Sequence, residues 1–141
     1  MRYLILIVVV INFLMIGCNR KKEKFNNYQI KNTSNEIENF NEFNIRFHTD
    51  SIFQLARVNF PIGGKSINGF KKHDWTLKNW EMMKNLVVET SQMKDYKHSL
   101  TKSDTLIVEK FWIPESGFEV ERKFKRINNK WFLIYYNDVN L

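Results

Sequence analysis

The chain has 141 residues, a formal net charge of +7 and a single cysteine. That length admits one ordinary domain with short additions, and one cysteine excludes an internal disulfide framework. Four tryptophans and twelve phenylalanines supply a real apolar core, and the basic residues are scattered without a stripe, which argues against nucleic acid as a partner.

Residues 3–17 are apolar except for Asn12, and Arg2 places positive charge ahead of them. A helix of that length spans roughly 22 Å, short of a bilayer core of about 30 Å. A basic start, an apolar middle and a small-residue end describe a signal peptide, here residues 1–17. Its end, Leu14-Met15-Ile16-Gly17-Cys18, resembles the lipobox of bacterial lipoproteins, with Met15 in place of the usual leucine. The resemblance implies that the Cys18 thiol receives a diacylglycerol, that cleavage falls before it and that the new amine is acylated. An ordinary signal peptide with a chance cysteine is the competing reading. Lipidation would account for the lone cysteine, since an exported thiol without a partner is exposed to oxidants. One acyl chain anchors reversibly, whereas two or three make release very slow.

Residues 18–33 read as a polar, asparagine-rich tether. Arg20, Lys21, Lys22 and Lys24 either attract an anionic leaflet or simply keep the tether solvated. No acidic residue follows Cys18 directly, so the periplasmic side of a bacterial envelope is favoured over surface display. Residues 34–141 are expected to form a single domain.

Within it, Thr33-Ser34-Asn35-Glu36 fits a capping box, and Ile37, Phe40, Phe43 and Phe47 recur at helical spacing. A helix over 35–48 is expected, with acidic residues early and Arg46 and His48 late, as the helix dipole favours. Asp50 or Ser51 caps a shorter helix through Arg57. Pro61 and Gly63-Gly64 then mark a short edge strand and a loop. Thr76 is placed to cap another short helix carrying Leu77, Trp80 and Met83, and residues 86–90 read as a strand.

The last forty residues carry three β-rich runs, 105–113, 117–127 and 130–139, separated by the turns "PESG" and "NNK". They predict an antiparallel meander. Phe118, Val120 and Phe124 share one face of the middle run, opposite Glu119, Glu121, Lys123 and Lys125. The final run, "WFLIYY", is apolar on both faces, so it must sit centrally or be covered. Helices followed by a curved antiparallel sheet give an α+β class.

"DSIFQLARVNFP" (residues 50–61) and "VEKFWIPESGFEVERKFKRINNKWFLIYY" (residues 108–136) resemble a family of exported bacterial lipoproteins known as domain of unknown function 4348. Phe53, Gln54, Arg57, Phe60, Pro61, Val108, Glu109, Phe124, Arg126, Trp131 and Leu133 carry the match. It implies a cone-shaped fold similar to nuclear transport factor two and the cystatins, with helices in the hollow of a bent sheet. No activity or catalytic residue comes with it.

Motifs that carry chemistry are few. "GGKS" (63–66) lacks the earlier glycine and following helix of a phosphate loop, and is expected to be a turn between strands. "HTDS" (48–51) holds hydrolase residue types, but neighbours in sequence rarely converge as a triad; a helix end and cap explain them better. His48, His73 and His98 lack metal-ligand spacing. The remaining candidate is a pocket at the open end of the cone, which Trp80, Trp112, Arg122, Trp131 and Tyr135 could line or rim; the favoured reading is that these aromatics fill the core. The stem of Arg122 shares a face with Phe118, Val120 and Phe124, so its charge should reach a mouth, water or a carboxylate. The expected function is a non-catalytic, membrane-anchored binding or interaction domain without cofactor or metal. The alternatives are a small-molecule carrier or enzyme using the hollow, and a homodimer, or a subunit bound to another envelope protein, through the outer face of the sheet.

Overall fold

A computed structural model describes residues 36–89 and 94–141. The signal peptide, Cys18, the tether and the start of the capping box lie outside the described residues. Thr33–Leu141 form one compact unit, and every residue of the core cluster belongs to it.

Helix α1 spans Phe40–Thr49, and α2 spans Ser51–Ala56. The first helix begins later than its capping box predicts. Asn39 caps it, its side-chain oxygen accepting from the amides of Asn41 and Glu42 at 2.8 and 3.2 Å. Glu38 is drawn into tertiary contacts instead. Its carboxylate accepts from Arg57 at 2.8 and 3.0 Å and from the Trp131 amide at 2.7 Å. Asp50 caps α2 as expected, through the Phe53 amide at 2.9 Å.

Seven strands follow among the described residues: β1 Val58–Gly63, β2 Lys65–Asn68, β3 Lys71–Asp74, β4 Lys97–Lys102, β5 Leu106–Ile113, β6 Phe118–Ile127 and β7 Lys130–Asn140. The order is β3-β2-β7-β6-β5-β4, with β1 also paired to β7. The predicted meander is β5–β7, and β7 is central, one of the two arrangements that its two apolar faces allowed. The sheet is mixed rather than wholly antiparallel, because β1 and β2 run parallel to β7. Gly64 makes the junction between them at φ +87°, and a Cβ there would lie 2.2 Å from the Tyr136 carbonyl oxygen. That close approach lets the chain leave β1 and rejoin the same side of β7 as β2. The turn predicted for "GGKS" is this junction.

Two expectations fail between residues 76 and 90. Asn79 closes a turn on Thr76, its side-chain oxygen taking the Thr76 amide at 2.6 Å and hydroxyl at 2.9 Å, and no helix follows. Residues 81–88 are irregular rather than strand, and β4 forms where no strand was predicted. The backbone of 83–88 is bonded by side chains from the rest of the fold, as described below, which removes the partners that a helix or ladder would need.

The core lies between α1 and the inner faces of β5–β7. Phe43 and Phe47 meet Phe124 edge-on, with ring centroids 5.7 and 5.5 Å apart, and Phe40 meets Trp131 at 5.2 Å. Burying each such side chain contributes on the order of 2–3 kcal/mol, with a further increment from edge-to-face geometry. The Phe stripe is therefore core.

Candidate functional site

The "PESG" turn sets the chemistry of the inner sheet face. The Ser116 hydroxyl donates to the Ile113 carbonyl at 2.9 Å and accepts from the Phe118 amide at 3.1 Å. Glu115 and Gly117 take positive φ, 61° and 74°. That turn pairs Ile113 with Phe118 and, four residues back on the same parity, Glu109 with Arg122. Both side chains point inward, and they are almost wholly buried, at 0 % and 3 % exposure.

Arg122 Nε donates to Glu109 Oε2 in a short contact. The guanidinium also donates to the Asn85 carbonyl at 2.5 Å and the Leu86 carbonyl at 2.8 Å. The other Glu109 oxygen accepts from the Val88 amide and lies near His98 Nε2, both at 3.1 Å. Two buried charges thus offset each other and hold three peptide groups of an irregular segment.

His48 completes the cluster. Its Nδ1 lies 2.7 Å from the Asn44 carbonyl oxygen, so that nitrogen carries the proton, and Nε2 accepts from Arg122 Nη1 at 3.1 Å. Burial lowers its pKa to about 4, assisted by the Arg122 charge and opposed by the Asn44 carbonyl. At neutral pH the ring is an uncharged spacer between helix and guanidinium.

Two amides extend the same hold. Gln54, fully buried, donates to the Phe47 and Met83 carbonyls at 2.6 and 2.8 Å and accepts from the Met83 amide at 2.9 Å and Trp80 Nε1 at 3.1 Å. Asn44 takes both polar groups of Val87, donating at 2.9 Å and accepting at 3.0 Å. No buried side-chain nitrogen or oxygen among the described residues lacks a partner.

Beside this clamped segment lies a groove of about 1180 Å³. Met82 and Leu86 form part of one wall, Phe111, Phe118 and Val120 of the sheet the other, and Tyr136 and Asp138 lie at one end. The Tyr136 hydroxyl sits 3.4 Å from Asp138. Burial raises the pKa of both, and each one's rise is reinforced by negative charge nearby: Asp138 for Tyr136, Glu81 for Asp138. A smaller cavity of about 380 Å³ lies at the start of α1, against Trp131 and Arg126.

Of the five residues named for a possible pocket, only Arg122 lines the groove. Trp80 stands behind it, edge-on to Trp75 at 5.6 Å and bonded to Gln54. Trp131 is in the core, its indole donating to the Glu38 carbonyl at 3.0 Å, and lines the smaller cavity. Trp112 and Tyr135 belong to the outer face, by strand alternation. Lys110 Nζ lies 5.7 Å from the Trp112 ring and Lys123 Nζ 4.4 Å from the Tyr135 ring. Sequence reasoning overlooked Glu109, Asn44 and His98 as members of the inner cluster. For Glu109 a signal existed: it alternates with Ile107 and Phe111, the parity of the buried face.

No family model matches the chain, and no curated protein matches it. Solved structures do. A cystatin-like protein from Bacteroides caccae ATCC 43185 is similar over 72 % of this chain and 76 % of its own, with 18 % identity and a TM-score of 0.57. An NTF2-like protein from Bacteroides fragilis NCTC 9343 is similar over 76 % of this chain, with 22 % identity and a TM-score of 0.52. This chain spans about half the length of that second structure, 49 %. At these identities the likeness shows the fold alone: the domain has the α+β architecture shared by cystatin-like and NTF2-like proteins.

Proposed function

We propose that this protein is a lipid-anchored, non-catalytic binding domain of a bacterial cell envelope, which takes an elongated, largely apolar ligand in its groove. The groove carries the reading. Its volume of about 1180 Å³ lies somewhat above the range usual for small-molecule sites, and its walls are mostly aromatic and aliphatic. The buried ionisable groups beside it are committed elsewhere, Arg122 and Glu109 to each other and to peptide groups and His48 to the Asn44 carbonyl and Arg122, while Asp138 at its end is paired with the Tyr136 hydroxyl at 3.4 Å. Such a site favours holding over turnover.

The anchor reading rests on the lipobox-like run ending at Cys18 and the polar tether behind it. Membership of the domain of unknown function 4348 family belongs to the same proposal, as does the cone shape, with helices laid in the hollow of a bent sheet. The cationic stems over Trp112 and Tyr135 reduce the apolar area that a dimer through the outer face would bury, so a ligand is favoured over a second copy as partner.

Two measurements test the two halves. Intact-mass analysis of protein purified from its native envelope should give a chain beginning at Cys18 and heavier by its acyl groups, and Cys18→Ser should leave it unacylated; an unmodified chain beginning at Met1 overturns the anchor. For the groove, the neutral apolar fluorophore phenylnaphthylamine should bind, and Val120→Trp, which puts a larger ring into the space, should weaken its enhancement. Undiminished binding to a folded Val120→Trp variant rules the groove out.

A further inference from the structure

The β2–β3 hairpin carries a feature that neither the core nor the groove explains. Its turn is Gly69-Phe70, and Phe70 is fully exposed. Gly69 takes φ +56°, with nothing within 4 Å of the position a Cβ would occupy. Its amide donates to the Asn140 carbonyl at 2.8 Å, which fixes the tip to the last residues of β7. Lys71 and Lys72 follow directly and point to opposite faces of the hairpin by strand alternation. All four residues of β3 are exposed. Neither lysine forms an ion pair among the described residues.

Lysines alone on an edge strand would be ordinary protection against edge-to-edge pairing. A phenylalanine held out at the tip beside them is not; it leaves a whole aromatic ring in water. An aromatic ring followed by two cations on a fixed turn suits the interface of an anionic bilayer, where the ring enters the headgroup layer and the ammonium groups meet phosphates.

We propose that the Gly69-Phe70 tip, with Lys71 and Lys72, is a second membrane contact that docks this domain on an anionic lipid surface. The geometry is compatible with an N-terminal anchor. The Glu38 amide bonds the Asn129 carbonyl at the turn before β7, and the hairpin lies at the far end of that 11-residue strand, about 35 Å away. The 18 residue-to-residue spacings from Cys18 to Glu36 reach at most about 60 Å, so both contacts fit one leaflet. Docked in this way, the domain would bring the Phe118 and Asp138 end of the groove toward the lipid, because Asp138 pairs with Ser66 of β2 and Phe118 with Asn140.

The test uses residues 33–141, the compact unit that contains the core cluster, so its outcome is independent of lipidation at Cys18, and the hairpin substitutions separate docking from any uptake of lipid by the groove. Sedimentation with vesicles of phosphatidylglycerol and phosphatidylcholine should retain the domain, and vesicles of phosphatidylcholine alone should not. Lys71→Glu and Lys72→Glu should each weaken partitioning about fivefold or more, and Phe70→Ser should weaken it to a similar degree, with thermal melting unchanged. In Phe70→Trp, the added indole fluorescence should be quenched by brominated lipid in the anionic vesicles. Equal retention on both vesicle types, retention indifferent to all three substitutions, or an added indole in Phe70→Trp that brominated lipid leaves unquenched overturns the proposal.

Discussion

The two sides of the inner sheet face are stabilised by opposite means. Under α1, the rings of Phe40, Phe43, Phe47 and Phe124 pack on one another. Against residues 83–88 the same sheet presents Glu109 and Arg122, and the helices present Asn44 and Gln54, each holding main-chain groups. Apolar packing is non-directional and tolerates similar shapes, whereas a buried ion pair demands every partner in place. The first region therefore specifies that the chain collapses. The second specifies the path that an irregular segment takes, and with it the wall of the groove.

Substitutions separate the two modes. Phe124→Ala should cost about 3–5 kcal/mol through the cavity it leaves, and Arg122→Met a comparable amount, about 3–5 kcal/mol, by stranding the Glu109 charge. They differ in rescue. Adding Glu109→Leu to Arg122→Met should restore part of the loss in urea denaturation, because no uncompensated charge remains, although the Asn85 and Leu86 carbonyls and the Val88 amide then lack their partners. If the double variant is no more stable than the single, the region is not organised by that ion pair.

The next effect is a pH dependence confined to the polar side. His48 has a folded pKa of about 4, below the unfolded value of about 6.5. Above pH 6.5 neither state binds the proton and the stability is complete. As pH falls from 6.5 to 4 the unfolded chain takes up a proton that the fold refuses, and about 3 kcal/mol is lost, at about 1.36 kcal/mol per unit. His48→Gln keeps an acceptor for Arg122 and should flatten that slope in denaturant titrations at successive pH values; an unchanged slope assigns the loss to other groups.

Gln54→Leu should cost about 1–3 kcal/mol, by leaving the Met83 amide and Trp80 indole without an acceptor, and should speed hydrogen exchange at residue 83 while amides in α1 stay protected. Equal acceleration in both regions would mean that they open together. The smallest effect belongs to the outer face, where Lys110→Ala removes a half-exposed pair with Glu119 and should change stability by about 1 kcal/mol or less.

Legibility followed the same division. The Phe stripe of α1, the capping Asp50 and the three C-terminal strands are visible as periodicities of 3.6 and 2, because their neighbours in space are also close in sequence. Arg122 could be placed on the buried face by alternation with Val120 and Phe124. Its partner Glu109 required one more step, counting back through the "PESG" turn to the paired register. Trp80 and Met83 misled: a spacing of three after a threonine resembles a helix, but the Gln54 amide, 29 residues from Met83 in the chain, holds the backbone that a helix would use.

What the amino-acid order determined by itself is the apolar patterning, the turns and hence the class: helices first, then a sheet ending in a strand apolar on both faces. The apolar run 3–17 and the single cysteine after it are likewise features of local sequence. Only the tertiary structure decided that the sheet is mixed, that residues 81–88 run as an irregular wall, and which aromatics face the groove rather than the solvent side. Those outcomes depend on charges and amides meeting across tens of residues, and a contact of that kind leaves no periodic trace along the chain.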